Sequence, residues 1–560
     1  MAKKYNPLSI VFLGGVGEIG KNLTAIKYGE EILIVDCGSS FPTQDTPGVD
    51  LIVPDFSYLE ENKDKIVGLV VTHGHEDHIG GIPFLISKIP NIPIYGSNLA
   101  IALIEHKLKE RKVNTAKLNV VEAEDKIQLG SFTVEFVQVA HSIIGAFALA
   151  ITTPHGLIFH TGDFKIDYTP IGNSKPVDIS SFARIGNRGV LLMLGESTNV
   201  EKPGTTISEK HVGKTLDKIF MANPDKRIII ATFASNVNRV QQIISIAEKS
   251  GRKVAFSGRS MIKICEMALD MGLINMNREN LVEVEHIKDY PPEQTCIIST
   301  GSQGEPMSAL TRMANGTDKI KVQDGDLIVI SSSAIPGNEK AIYTVINNLY
   351  RQGAKVMYGS LEELHVSGHA CREELKMMLS LIRPKFFIPV HGEYRHLKQH
   401  AKLAQDLGIP KEHIEIAEIG DEIEIKTKKM QHNDKVKAGA LYVDGIGQIS
   451  HELVKERRQL SNEGLIVVVC KIDKTHKILS DDYIIDTRGV DLRDEDLEEI
   501  KICMQKSFVQ VDVANKPFDK NQFEQIASKK VANRIAKLTT QKPLVVPVVV
   551  FEDEIKEMYE

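Results

Sequence analysis

The chain has 560 residues, too many for one ordinary core, so two to four domains are expected. Its 42% hydrophobic and 25% charged residues are those of a globular protein, and no apolar run approaches the roughly 18 residues of a membrane span. A net charge of −6 without a basic block withholds the usual footprint of a nucleic-acid binder, although cations held in a local cleft can supply the same field. The first residues, MAKKYNPLSIVFLGG, lack the continuous apolar core of a signal peptide, and the cytoplasm is the expected address. Cys37, Cys265, Cys296, Cys371, Cys470 and Cys503 form no CxxC pair, so a metal site has to be built from histidines and carboxylates.

The first motif along the chain is GGVGEIG, where Gly15, Gly17 and Gly20 imitate a dinucleotide fingerprint with Asp36 as its acid. That fingerprint needs a helix before the acid. KNLTAIKYGEEILIVD reads instead as two strands about a turn at Tyr28 to Glu31, and the nucleotide reading is rejected. Next comes KIVGLVV, apolar and β-branched like a buried strand, and then HGHEDH, followed by IPFLISKI at helical spacing. Strand ends are rigid and helix starts carry free N–H groups, which suits a metal site. His73 and His75 can face one ion, with Asp77 and His78 facing another. An ion needs three or four ligands, so further donors are expected downstream.

Strands dominate to about residue 200, with a helix near NLAIALIEHKLKER and a hairpin turning at Pro154 to Gly156. From about 205 to 368 strands such as RIIIATF, KVAF, TCIIST and DLIVISSS alternate with helices, the pattern of a parallel sheet with helical crossovers. FFIPVHG then reads as a strand and EYRHLKQHAKLAQDL as a helix, while the polar residues 431–450 look like a linker. From 451 a small α+β domain is expected. His141, Asp163 and His391 each follow an apolar strand and complete the donor set: His73, His75 and His141 for one ion, Asp77, His78 and His391 for the other, and Asp163 bridging both.

HxHxDH, a later His and the Asp of HTGD together resemble the metallo-β-lactamase fold, with Asp36 supporting the site from behind the ligands. Glu196 in GESTN, His369 in HVSGHA and His391 in PVHGE resemble the β-CASP nucleases. GGVGEIGKN, ATFASN, TGSQGEP, SSSAIPGN, HVSGH and PVHGEYRHLK, in this order, are similar to the bacterial ribonuclease J family over nearly the whole chain. The resemblance implies an α/β architecture: a metallo-β-lactamase αββα sandwich (1–204 and 369–430) split by a β-CASP α/β domain (205–368), then the linker and an assembly domain (451–560). It implies 5′-to-3′ exonuclease and endonuclease action on single-stranded RNA, favoured by a 5′ monophosphate, in RNA maturation and decay. Two divalent ions per subunit are implied, zinc first, with manganese or magnesium as alternatives. Asp77, Glu196 and His369 are the implied catalytic residues, and His365, Val366, Ser367, Gly368 and His369 with Phe233 and Ser235 the implied RNA contacts. The serines of ATFASN serve equally well as ordinary helix caps. The implied partners are a second copy, in a dimer or tetramer, a paralogous subunit, and degradosome proteins. The chain departs from the family's pattern at Glu196, where an aspartate is expected, and at Ile144, where a proline is expected. Two other readings are a catalytically silent RNA-binding partner subunit, whose signature is degenerate ligands, and a small-molecule hydrolase such as a lactonase, which needs neither His369 nor the large insertion.

Overall fold

The structure, a computed structural model, describes residues 6–43, 45–172, 174–305, 307–334, 338–359, 364–445, 447–472, 483–511 and 518–551. Contacts divide the chain into two compact units, one of residues up to 40 with 53–440, the other of 41–52 with 441–560.

Two sheets make the sandwich of the first unit. The first runs Met430–His432, Glu422–Ile425, Leu8–Gly14, Leu23–Tyr28, Glu31–Val35, Ile66–Val70, Pro93–Gly96, Lys117–Val120. The second runs Phe386–Val390, Val190–Glu196, Gly156–His160, Phe147–Thr153, Phe132–Gln138, Lys126–Leu129. Side chains alternate across a strand, and this sorts the second sheet's residues between two cores. Phe136, Leu149 and Ile151 meet Phe12, Ile26 and Leu33 of the first sheet. Val137, Ala148 and Ala150 face outward, where the small alanines admit Phe182, Met378 and Leu403 from the helices Ile179–Asn187, Arg372–Ile382 and Tyr394–Asp406. Leu23–Tyr28 and Glu31–Val35 pair antiparallel, so the glycine-rich loop before them has no helix to open.

The expected insertion is a five-stranded sheet, ordered Lys253–Ser257, Thr295–Ser299, Ile228–Ala231, Leu327–Ile330, Lys355–Met357, all parallel. The chain then returns to Phe386–Val390, which pairs parallel with Val190–Glu196 and sets Val390 opposite Glu196. Residues almost 200 apart in sequence thus end side by side at one rim.

The second unit packs Ile466, Val468 and Cys470 of Leu465–Ile472 against Ile500, Met504 and Phe523 of the helices Asp494–Val511 and Lys520–Thr539. The stretch 431–450, expected as a linker, is more ordered than that. Met430–His432 lies on the edge of the first sheet, and Ala440–Asp444 pairs antiparallel with Gly447–Ile449. The strands are short, and their polar edge residues hide the alternation that marks a strand. Segment 41–52 joins this unit through Asp50 N–H to Val443 O (2.8 Å) and Arg457 Nη1 to Gly48 O (2.8 Å).

Candidate metal centre

Every proposed ligand sits just beyond a strand end or on the short helix Glu76–Ile79, so the two sheets deliver them to one rim. Gly38 lets the loops close, because a Cβ there would lie 1.6 Å from Asp77 O. Asp36 and His391 hold left-handed backbones (φ 59° and 51°), uncommon for residues with a Cβ and a form of strain that clusters at functional sites.

Three sets of donor atoms lie within 4.8 Å of one another: His73, His75 and His141; Asp77, His78, Asp163 and His391; and His141, Asp163 and His369. In the first set His75 Nδ1 is 3.1 Å from His73 Nε2 and 3.1 Å from His141 Nε2. In the second, Asp163 Oδ2 is 3.3 Å from His78 Nε2 and 3.4 Å from His391 Nε2, which is itself 3.2 Å from Asp77 Oδ2. Metal–nitrogen bonds of about 2.0–2.1 Å at tetrahedral angles place donors roughly 3.3 Å apart, so both sets fit a metal ion. Asp163 Oδ2 is also 3.7 Å from His73 Nε2 and 3.8 Å from His141 Nε2, so this carboxylate borders the first set as well. The structure therefore brings together all seven residues expected as ligands.

Hydrogen bonds behind the ligands fix which nitrogen points inward. Asp36 Oδ2 accepts His78 Nδ1–H (2.8 Å) while its other oxygen accepts Thr72 N–H (2.7 Å). Gly368 O accepts His141 Nδ1–H (2.7 Å), and Thr198 Oγ1 lies 3.1 Å from His391 Nδ1. Burial, then the neighbouring imidazoles, pushes His73 and His141 well below the ordinary histidine value, and burial holds His75 at about 4 against the pull of Asp77 and Asp163. These three are neutral, with lone pairs free for a cation. Burial opposes charge on Asp77 and Asp163 too, but the histidines around them hold both carboxyls well below the usual range.

Four families match consecutive parts of the chain: "Metallo-beta-lactamase superfamily" at 16–167, "Ribonuclease J, beta-CASP domain" at 225–349, "Zn-dependent metallo-hydrolase RNA specificity domain" at 353–416, and "Ribonuclease J C-terminal domain" at 452–551. Ribonuclease J 1 of Streptococcus pyogenes is 40% identical over 560 residues, covering 98% of this chain and 99% of that one. The chain belongs to the ribonuclease J family. Ribonuclease J of Thermus thermophilus is 43% identical over 82% of each chain, and Ribonuclease J2 of Bacillus subtilis 40% identical over 87% of this chain and 88% of that one. A solved structure of a protein of unknown function from Enterococcus faecalis aligns with a TM-score of 0.53 at 19% identity, over 75% of this chain and all of its own, a likeness of fold.

His369 stands beside this cluster of candidate ligands: its Nδ1 is 3.2 Å from Glu196 Oε2 and 3.7 Å from Asp163 Oδ2. Burial disfavours its charge, but Glu196 and Asp163 prevail and raise it to about 9. Glu196 has the reach for this because its second oxygen accepts the backbone N–H of Phe164 (3.2 Å) and Ala370 (3.4 Å). Ile144, where a proline is expected, is half-buried; nothing in the structure explains the exchange. Of the implied RNA contacts, Val366 is buried, while His365, Ser367, Phe233 and Ser235 are half-buried. Ser367 Oγ accepts from Asn199 Nδ2 (2.7 Å) and His369 N–H (3.1 Å), leaving its own proton to donate outward. Asn236 side chain caps the helix Val237–Lys249, so Phe233 and Ser235 lie on the loop entering a capped helix start. The sequence reading missed Thr198 and Asn199, which follow Glu196 in GESTN, and the carbonyl of Gly368. Their signal was adjacency to the quoted motifs, but hydrogen-bond partners about 170 to 230 residues away were out of view.

Proposed function

We propose that this metal-dependent ribonuclease of the ribonuclease J type degrades single-stranded RNA 5′ to 3′ from a 5′ monophosphate and also cuts internally. The observation that carries the reading is His369, which returns from the insertion to 3.7 Å from Asp163, a carboxylate of the second donor set that also lies 3.7 Å from His73 and 3.8 Å from His141 of the first. When bound, two divalent ions supply Lewis acidity, making water acidic near neutral pH and neutralising the phosphoryl oxygens. The seven ligands hold that charge at the rim of both sheets and aim it into the cleft. His369 keeps Nδ1–H on Glu196 and offers Nε2–H to the phosphate or to the departing 3′ oxygen. Ser367 donates its hydroxyl to an RNA phosphate, and Phe233, Ser235, His365, Val366 and Gly368 line the path of the strand. Divalent cations held by these residues would supply locally the positive field that a net charge of −6 does not.

The same reading takes zinc as the first metal, with manganese or magnesium as substitutes. It takes 1–204 with 369–430 as the metal-binding domain, 205–368 as the RNA-covering insertion and 451–560 as the assembly part of a dimer or tetramer, alone or with a paralogous subunit and degradosome proteins. The cytoplasm is the proposed address; among the described residues no helix is long and apolar enough to cross a membrane. The test is one RNA sequence prepared with a 5′ monophosphate and with a 5′ triphosphate, incubated with the metal-loaded protein. Faster release of mononucleotides from the monophosphate form is expected, and equal rates would count against the directional part of the proposal.

A further inference from the structure

The insertion leaves the sandwich near residue 205 and returns near 369, and one buried carboxylate touches both crossings. Glu374, 1% exposed, stands at the third position of the helix Arg372–Ile382. Its Oε2 accepts Cys371 N–H (2.8 Å), an ordinary helix-capping bond, but also Thr206 N–H (2.7 Å) and Thr206 Oγ1–H (2.7 Å). Its Oε1 accepts Ile166 N–H (2.7 Å). All four donors are neutral, and three lie outside the helix. Capping alone needs one of these bonds.

The three segments joined this way each carry one member of the group around His369. Ile166 follows Asp163 by three residues, Thr206 closes the segment that begins at Glu196, and Cys371 follows His369 by two. The same segments are laced by Asn199 Nδ2 to His369 O (3.1 Å), with Thr206 Oγ1 also 2.9 Å from that carbonyl, and by Arg372 N–H to Lys202 O (3.0 Å). We propose that Glu374 is a positioning residue for His369: it clasps the outgoing and returning strands of the insertion and so sets the imidazole against Asp163 and Glu196. Glu374 touches no metal ligand side chain, and its effect passes through His369; the proposal rests on the reading of His369 as a catalytic group.

Glu374→Gln keeps the size but turns an N–H₂ toward backbone donors, and displacing a catalytic group by about 1 Å costs up to roughly 100-fold in rate. The expected result with 5′-monophosphorylated RNA is a kcat about 10- to 100-fold lower, with KM and metal content by elemental analysis close to parental and a melting temperature modestly lowered by the opposed donors. A purely structural role moves the melting temperature and is blind to His369, so the deciding measurement is a double-mutant cycle. In a His369→Ala background Glu374→Gln is expected to cost less than about twofold. An equal loss in both backgrounds, or a parental kcat in Glu374→Gln, overturns the proposal. A near-parental rate for His369→Ala alone overturns the underlying reading of His369 and the proposal with it. Should Glu374→Gln melt far below the parent, Thr206→Val, which removes one of the clasped donors at nearly constant volume, decides the matter in the same two backgrounds: a loss that vanishes without His369 supports the clasp, and an equal loss overturns it.

Discussion

Nδ1 of His369 lies 3.2 Å from Oε2 of Glu196, and the other oxygen of Glu196 is tied to the backbone immediately after Asp163. A proton-donating or phosphate-binding imidazole contributes about 10² to 10⁴ in rate. His369→Ala is therefore expected to slow cleavage by that order at saturating RNA while both ions remain by elemental analysis. Near-parental turnover would make His369 a bystander. Loss of an ion would instead make it a ligand, through the set it forms with His141 and Asp163.

Glu196 separates charge from reach. Glu196→Gln removes the nearest anion from His369, so the imidazole loses its proton at a lower pH than in the parent, where Glu196 raises it against the effect of burial. Activity that needs the protonated ring then fades at lower pH, and the alkaline limb of the kcat profile moves to the acid side. Glu196→Asp, one methylene shorter, cannot span both Phe164 N–H and His369, and is expected to be slower than the parent even though aspartate is the family's expected residue here. An unmoved alkaline limb in Glu196→Gln would remove Glu196 from the mechanism.

The double variant Asp77→Ala, His78→Ala is expected to abolish RNA cleavage and lower metal content while circular dichroism still reports a folded chain. His78 is buried and bonded to Asp36, so the melting temperature should fall as well. Parental digestion under metal-controlled conditions would show that the site has been assigned to the wrong residues.

The candidate ligands were legible because they follow apolar strands or open the short helix after one, and strand ends of two packed sheets must converge somewhere. HGHEDH, HTGD and PVHG carry that signal in a few adjacent residues. The alternating strands and helices of 205–368 announced a parallel sheet for the same local reason. What stayed hidden depends on tertiary closure. Gly368 O meets His141 across 227 residues, and Glu374 meets Ile166 across 208, contacts with no periodicity or spacing to betray them. Residues 41–52 joining the C-terminal unit, and the strands inside 431–450, were invisible because short polar segments gain their order from a partner far away in sequence.

Ending the chain after Gly447 tests the assembly role of the C-terminal part. Elemental analysis should find the metal retained, since all seven ligands precede the cut, while size-exclusion chromatography should show a smaller oligomer and the rate should fall. The cut also removes Arg457, which holds Gly48 O, so proteolysis within 41–52 is expected to quicken. Loss of metal from a chain that remains folded would contradict a role confined to assembly.

Acid sensitivity should trace in part to His400, which belongs to none of the donor sets. The ring is fully buried, with Nδ1 3.0 Å from Ser197 Oγ, its centroid 4.8 Å from that of Phe387 in an edge-to-face pair, and no hydrogen-bond partner for Nε2 among the described residues. Burial lowers it to about 3, whereas an unfolded histidine titrates near about 6.5. Between those values the unfolded chain binds a proton that the native chain refuses, so stability is complete above about 6.5 and falls by about 1.4 kcal/mol per pH unit as the pH drops toward 3. His400→Leu keeps an apolar side chain in the site and deletes this proton. Melting temperatures measured from pH 7 to pH 4.5 in the presence of a chelator, which removes metal release as a variable, should fall less steeply for His400→Leu than for the parent. Parallel slopes would mean that the acid response belongs to other histidines, half-buried His365 among them, which desolvation and then Arg239 also lower to about 3.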